Sequence, residues 1–235
     1  QQSPKSTLLS ADYSQIELRV LAHISQDAGL LDAFHKGEDI HSSTAAAIYG
    51  IQVDNVTSDM RRIAKVMNFG VLYGLSAYGI SRQTNLGPRE GTEFINTYFG
   101  KYPRIQNYIE SVKTKAYESG YVETLMGRRR YIPELTSGNR IIKASGERMA
   151  VNMPIQGTAA DIIKIAMIRI QERLDTLSLR TMMIIQVHDE LIFEVPNTEL
   201  DEMKSIVNEL MPSAMTLDVP LTVEMKTGYN WCEMT

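Results

Sequence analysis

Two aspartates carry the clearest chemistry in this sequence. Asp12 closes the apolar run Leu8-Leu9-Ser10-Ala11, and Asp189 lies 177 residues later between two strand-like runs. A carboxylate at the end of a buried strand is costly unless its charge is compensated. Two strands of one sheet would bring the pair together, and close carboxylates either share a proton or hold a divalent cation. Mg²⁺ takes one or two carboxylates plus phosphate oxygens. Two such ions about 4 Å apart suit in-line phosphoryl transfer. Asp also caps helices and starts turns, so spacing alone equally accommodates two structural aspartates.

A second constellation recurs every four residues: Arg61, Lys65, Phe69 and Tyr73. On a helix each such step turns by about 40°, so the four form one row. Ile63, Ala64, Met67 and Val71 fall on the other side. Cations hold polyphosphates and rings stack on bases, so the row matches a nucleoside triphosphate lying along the helix. Arg61 falls in the first turn, where a cation opposes the helix dipole and an anionic ligand would offset it. An amphipathic helix with solvated cations fits the same pattern. The run Arg128-Arg129-Arg130 suits a nucleic-acid backbone or a solvated loop.

The elements that must position these residues are legible from periodicity and punctuation. Residues 7–11 read as a short buried strand and 14–24 as a helix with Ile16, Val20 and Ile24 on one face. Helices are expected over 39–49 and 58–73, stopped by Gly50 and Gly74. Pro88 and Pro103 open helices over 88–99 and 103–119. Turn residues and short strand-like pieces fill 120–133. Two long helices are expected over 139–153 and 157–177, the second apolar almost all round and therefore buried. Residues 182–187 and 191–195 flank His188-Asp189-Glu190 as a hairpin with acids at its tip. A helix over 198–211 and a strand over 221–225 complete the chain. Strands at both ends around a helical middle give an α+β class: an antiparallel sheet with helices packed on it and a helical insertion.

Composition narrows the field. The 235 residues include 24 Lys+Arg and 28 Asp+Glu, for a net charge of −4, with 43% hydrophobic and 22% charged residues. That balance belongs to a globular protein and excludes intrinsic disorder. No apolar run approaches the roughly 20 residues of a membrane span. A single cysteine, Cys232, excludes a disulfide framework and fits a reducing compartment. Mild acidity does not exclude nucleic acid, since a local basic surface suffices. Gln1-Gln2-Ser3-Pro4 leads directly into the first strand, the opening expected of a fragment.

Three segments carry a resemblance. Asp12-Tyr13-Ser14-Gln15-Ile16-Glu17-Leu18-Arg19, then Arg61-Arg62-Ile63-Ala64-Lys65 through Asn68-Phe69-Gly70 to Tyr73-Gly74, then Val187-His188-Asp189-Glu190, resemble in order and spacing the three motifs of family A DNA polymerases. The resemblance implies a right-hand fold with residues 1–23 and 146–235 as palm and 24–145 as fingers. The thumb, any 3′–5′ exonuclease and part of the palm would lie upstream, so a fragment of this kind is expected to polymerise poorly alone.

The resemblance also implies roles. Asp12 and Asp189 would bind two Mg²⁺ ions, replaceable by Mn²⁺, with the Tyr13 backbone carbonyl as a further ligand and Glu190 in support. Arg61 and Lys65 would clamp the triphosphate of a deoxynucleotide, Lys65 also protonating the leaving pyrophosphate, with His41 and Gln15 contacting the nucleotide. Glu17 would act as a steric gate against the 2′-hydroxyl, Phe69 would support the sugar and Tyr73 would border the templating position. Arg148, Asn152, Gln156 and His188 would contact primer–template DNA near the terminal pair, and Arg128, Arg129 and Arg130 the template backbone. The setting would be the bacterial cytoplasm and nucleoid. A catalytically silent DNA-binding or scaffold relative is the alternative. A single-subunit RNA polymerase is disfavoured by Glu17 and Phe69.

Overall fold

A computed structural model of the chain describes residues 6–74, 77–84 and 86–234. The chain runs β1 (Ser6–Tyr13), α1 (Ile16–Ser25), α2 (Ala28–His35), α3 (Ile40–Tyr49), α4 (Ser58–Leu72), α5 (Ala77–Gln83), α6 (Pro88–Lys101) and α7 (Pro103–Ser119). It continues with β2 (Tyr121–Glu123), β3 (Arg129–Tyr131), α8 (Arg140–Thr176), β4 (Met182–Val187), β5 (Glu190–Pro196), α9 (Leu200–Leu210) and β6 (Val223–Gly228). Two compact units result: residues 1–16 with 159–235, and residues 17–158.

The first unit is built on a four-stranded antiparallel sheet ordered β4-β5-β1-β6. Leu9, Ala11 and Tyr13 of β1 and Leu191, Phe193 and Val195 of β5 are buried. On α9, Met203, Ile206, Val207 and Leu210 are buried at helical spacing, as are Ile162, Ile163, Ala166, Ile170 and Leu174 on the second half of α8. Burying each Leu- or Ile-sized side chain contributes roughly 1.5–3 kcal/mol. Polar clasps fix the helices. Arg173 grips both Glu209 oxygens at 3.1 and 2.8 Å, and the buried Tyr13 hydroxyl donates to the Met211 carbonyl at 2.7 Å.

The second unit is helical apart from the β2–β3 hairpin. Asp27 and Asp39 cap α2 and α3, each accepting backbone N–H groups of the first turn. Gly50 and Gly120 end α3 and α7 in the left-handed region, which glycine enters without a Cβ penalty. Ala116, Val122, Ile132, Leu135 and Ala150 form one cluster that ties α7, the hairpin and α8 together.

Several expectations need correction. The two long helices are one, α8, which passes through Pro154. Proline removes one backbone hydrogen bond and crowds the preceding turn, yet Ala150, Val151 and Ile155 are buried on either side and hold the helix. Thr158 donates its hydroxyl to the Pro154 carbonyl at 2.6 Å and accepts the Leu125 N–H at 3.1 Å. The second half of this helix is not apolar-buried all round, since Ile168 is 59% exposed. Helices α2 and α5 were not foreseen. The hairpin tip is His188-Asp189 alone, because Glu190 already pairs with Val187. Gln1 to Pro4 and the Val71 side chain lie outside the described residues.

Candidate active site

In the first unit, the acids gather at one end of the central strands. Asp12 stands opposite Glu190 on β5 and opposite Glu224 on β6. Asp189 follows His188, which takes φ 53° in the two-residue turn, and its carbonyl accepts the Tyr13 N–H at 3.2 Å. Glu190 accepts the Ser10 hydroxyl, and Glu224 the Ser14 hydroxyl at 3.0 Å. Among the described residues, the carboxylates of Asp12 and Asp189 have neither a hydrogen-bond donor nor an ion pair. Partial burial pushes the Asp12 carboxyl up to about 6, reinforced by the negative charges of Asp189, Glu190 and Glu224 and opposed by Lys226.

This is a site with negative charge in excess of its protein partners. Among the described residues no three side chains converge to hold an ion unaided. One or two carboxylates plus phosphate oxygens is nevertheless the usual set for Mg²⁺, so Asp12 and Asp189 fit that ion in company with a phosphate substrate. Gln15, at φ 56°, turns the chain out of β1 toward α1 and is half-buried. His188 is exposed.

In the second unit, α4 presents the expected row. Ile63, Ala64 and Met67 are buried, whereas Arg61 and Lys65 are exposed, Phe69 is half-buried and Tyr73 is exposed. Arg61 pairs with Asp39, the cap of α3, at 2.6 Å. The anion expected beside Arg61 is thus supplied by the protein itself. Lys65 has no such partner among the described residues. His41 is buried against Phe69, with ring centroids 5.7 Å apart, and the Asn68 amide nitrogen lies 3.1 Å from its Nδ1. Burial pulls the imidazole down to about 4; Arg61 and Lys65 push the same way and Asp39 opposes them. His41 is therefore neutral at pH 7.

Glu17 on α1 accepts the Tyr73 hydroxyl at 3.2 Å, and Gln156 on α8 donates to both, at 3.4 Å to Glu17 and 3.1 Å to Tyr73. Arg148 lies against the left-handed turn at Gly74 (φ 62°), where an added Cβ would stand 2.8 Å from Arg148 Cγ. Asn152 keeps its buried Oδ1 without a hydrogen-bond donor among the described residues. All three hairpin arginines are exposed. Arg129 is engaged with Glu123 and lies over the Tyr121 ring at 4.6 Å, and Arg130 reaches Met149 Sδ at 3.2 Å.

Sequence reasoning missed the roles of Glu224, Lys226, Asp39 and Asn68, and of Thr44, whose hydroxyl contacts the Asn68 amide. Asp39 was visible as a cap immediately before a helix, and Glu224 as an acid in a short alternating strand. Neither signal specifies a partner more than 20 residues away.

Comparison with known proteins gives the family and the fold. The model of DNA polymerase family A matches residues 1–233. DNA polymerase I of Streptococcus pneumoniae is 50% identical over 229 residues, covering 97% of this chain and 26% of that protein. DNA polymerase I of Caldicellulosiruptor bescii is 48% identical over 226 residues, covering 96% of this chain and 27% of that protein. The chain thus spans about a quarter of the length of these relatives. Among solved structures, the POL domain of Pol1 from M. smegmatis, in complex with DNA primer-template and dNTP, superposes with a TM-score of 0.94 at 44% identity. That match covers 98% of this chain and 41% of the other. No described helix is long and apolar enough to cross a membrane. The α+β fold, the acids gathered where β1 meets β5 and the cation–aromatic row of α4 stand in a chain that belongs to DNA polymerase family A.

Proposed function

We propose that this chain is the palm and fingers portion of a DNA-templated DNA polymerase. Residues 1–23 and 146–235 serve as palm and 24–145 as fingers. The observation that carries the reading is the pair Asp12 and Asp189, two carboxylates without donors among the described residues, beside Glu190 and Glu224. The reaction joins the primer 3′-oxygen to the α-phosphorus of a deoxynucleotide and breaks the bond to the β-phosphate, releasing pyrophosphate. Two Mg²⁺ ions, when bound, would supply Lewis-acid chemistry to the attacking and leaving oxygens.

The chain's own residues do the rest. Asp12, Asp189 and the Tyr13 carbonyl would hold the cations, with Glu190 in support. Lys65 and Arg61 grip the triphosphate, and Lys65 gives a proton to the departing pyrophosphate. His41, neutral and buried, donates one ring N–H to the phosphates, and Gln15 contacts the nucleotide. Glu17 closes the space beside C2′, Phe69 supports the sugar, and Tyr73 borders the templating base. Arg148, Asn152, Gln156 and His188 contact the primer–template near its terminal pair, where minor-groove acceptors are shared by correct pairs. Arg128, Arg129 and Arg130 meet the template backbone through salt-dependent phosphate contacts.

The test places this chain in the matching segment of the Streptococcus pneumoniae relative and measures Mg²⁺-dependent primer extension. Active incorporation that Asp12→Asn or Asp189→Asn nearly abolishes, with primer–template binding retained, is the expected result. Near-normal turnover in either variant overturns the metal assignment. DNA binding without any incorporation by the unmutated chain would instead make it a silent binding module.

A further inference from the structure

His41 must present a hydrogen to a phosphate, and a neutral imidazole carries only one. Which nitrogen holds it depends on what faces the other. Nδ1 faces the side-chain amide of Asn68, and Nε2 has no hydrogen-bond partner among the described residues. Asn68 and Thr44 are fully buried, and His41 and Tyr102 are nearly so.

The four side chains form a directed chain. Tyr102 donates its hydroxyl to Thr44 Oγ1 at 3.4 Å, and Thr44 donates to Asn68 Oδ1 at 3.2 Å. The Asn68 amide nitrogen then donates to His41 Nδ1 at 3.1 Å and toward Thr44 Oγ1 at 3.1 Å. An amide oxygen can only accept and an amide nitrogen can only donate. Thr44 Oγ1 reaches both ends of the amide, 3.2 Å from Oδ1 and 3.1 Å from the nitrogen, and anchors it in place; the amide nitrogen stands against the imidazole, so Nδ1 is its acceptor.

We propose that Asn68 is a positioning residue that fixes His41 in its Nε2–H tautomer through the amide nitrogen set against Nδ1, with Thr44 and Tyr102 anchoring the amide beside the ring. The proposal rests on the reading of His41 as a contact to the nucleotide phosphates. A flipped amide would put the hydrogen on Nδ1 and turn a lone pair toward an anion, replacing attraction by repulsion. The segment Asn68-Phe69 thereby acts on the nucleotide twice, through the Phe69 ring and through the hydrogen it assigns to His41. The fixed tautomer also needs no proton from solvent, which suits a ring kept neutral between Arg61 and Lys65.

The first measurement is the ¹⁵N spectrum of the His41 ring in the unmutated chain at pH 7. A protonated Nε2 and an unprotonated Nδ1 are expected, and a protonated Nδ1 overturns the proposal. The second is steady-state incorporation by the chimeric polymerase carrying Asn68→Leu. Its KM for deoxynucleotides should rise about three- to tenfold with kcat little changed, the size expected for part of one charge-assisted hydrogen bond. In a His41→Gln background, where a side-chain amide N–H substitutes for Nε2–H, Asn68→Leu should add nothing. An unchanged KM in Asn68→Leu, with KM raised in His41→Ala, also overturns it. If His41→Ala leaves KM unchanged, the phosphate contact of His41 is what fails, and the ring spectrum alone decides the tautomer. The spectrum likewise decides if Asn68→Leu does not fold.

Discussion

The Tyr73 hydroxyl donates to the Glu17 carboxylate at 3.2 Å across 56 residues of sequence, and Gln156 braces both groups. A carboxylate held by two donors, one from the turn after α4 and one from α8, cannot swing freely. This rigidity is what a gate against a 2′-hydroxyl requires, because a mobile side chain would yield to one added oxygen. The Tyr73 hydroxyl is correspondingly held protonated, raised by partial burial and by the charge of Glu17.

Glu17→Ala should open the space beside C2′ and lower the deoxy-to-ribonucleotide ratio of kcat/KM by well over tenfold. Tyr73→Phe should lower the same ratio less, by about two- to tenfold, since it removes one hydrogen bond worth roughly 0.5–1.5 kcal/mol while leaving the carboxylate in place. Equal effects from the two changes would mean that Tyr73 acts as a wall of its own rather than through Glu17.

Phe69→Tyr should sharply reduce discrimination against dideoxynucleotides. A dideoxynucleotide lacks the 3′-hydroxyl that can bond its own phosphate oxygens, and a phenolic O–H beside the sugar would replace that donor. One charge-assisted bond of roughly 1.5–3 kcal/mol corresponds to about ten- to a hundredfold in rate. The check is single-nucleotide incorporation of a matched deoxy/dideoxy pair by the chimera. Selectivity ratios within about twofold of each other would place Phe69 away from the sugar.

Asp12 should make the metal-free chain less stable as pH rises. Its carboxyl is raised to about 6 in the folded chain against an ordinary value near 3.8, so the folded state binds the proton more tightly. The penalty therefore sets in between about pH 4 and 6 and is complete above 6. His41, lowered to about 4, acts in the opposite sense over a similar window, because the unfolded state takes up its proton first. Comparing Asp12→Asn with the unmutated chain isolates the Asp12 part. The variant should be more stable in EDTA at pH 8 by about 1 kcal/mol, the shift being discounted because Asp12 is exposed. The gain should vanish at pH 4 and shrink when Mg²⁺ is added. A difference that does not depend on pH would show that the carboxylate is not strained.

Gly74→Ala should destabilise the chain by about 1–2 kcal/mol, the cost of a left-handed backbone for a residue with a Cβ. The new methyl would also press on Arg148 Cγ from 2.8 Å and shift that side chain. Denaturant titration measures the first effect and primer–template affinity the second. An unchanged unfolding midpoint would show that the turn relaxes without strain.

The sequence by itself determined what repeats at short range. Four-residue spacing put Arg61, Lys65 and Phe69 on one face of α4, with Tyr73 in the turn just after it, and Ile63, Ala64 and Met67 are buried on the other. Proline and glycine punctuation gave α7 its observed bounds, Pro103–Ser119. The apolar runs around His188-Asp189 gave the hairpin. These signals are local, because helix and strand geometry repeats every few residues. Pro154 misled for the same reason: a local breaker lost to packing at Val151 and Ile155. Only the tertiary structure decided which distant residues meet. Nothing within reach of Asp12 in sequence reveals that Glu190 and Glu224 will flank it across two strands, or that burial, reinforced by the charges of Asp189, Glu190 and Glu224, will push its carboxyl up to about 6. Nothing near Arg61 names Asp39 as its counterion, and nothing near Glu17 names Gln156, 139 residues away. Burial and electrostatics depend on distance in space, and distance in space is set by the packing of the whole core.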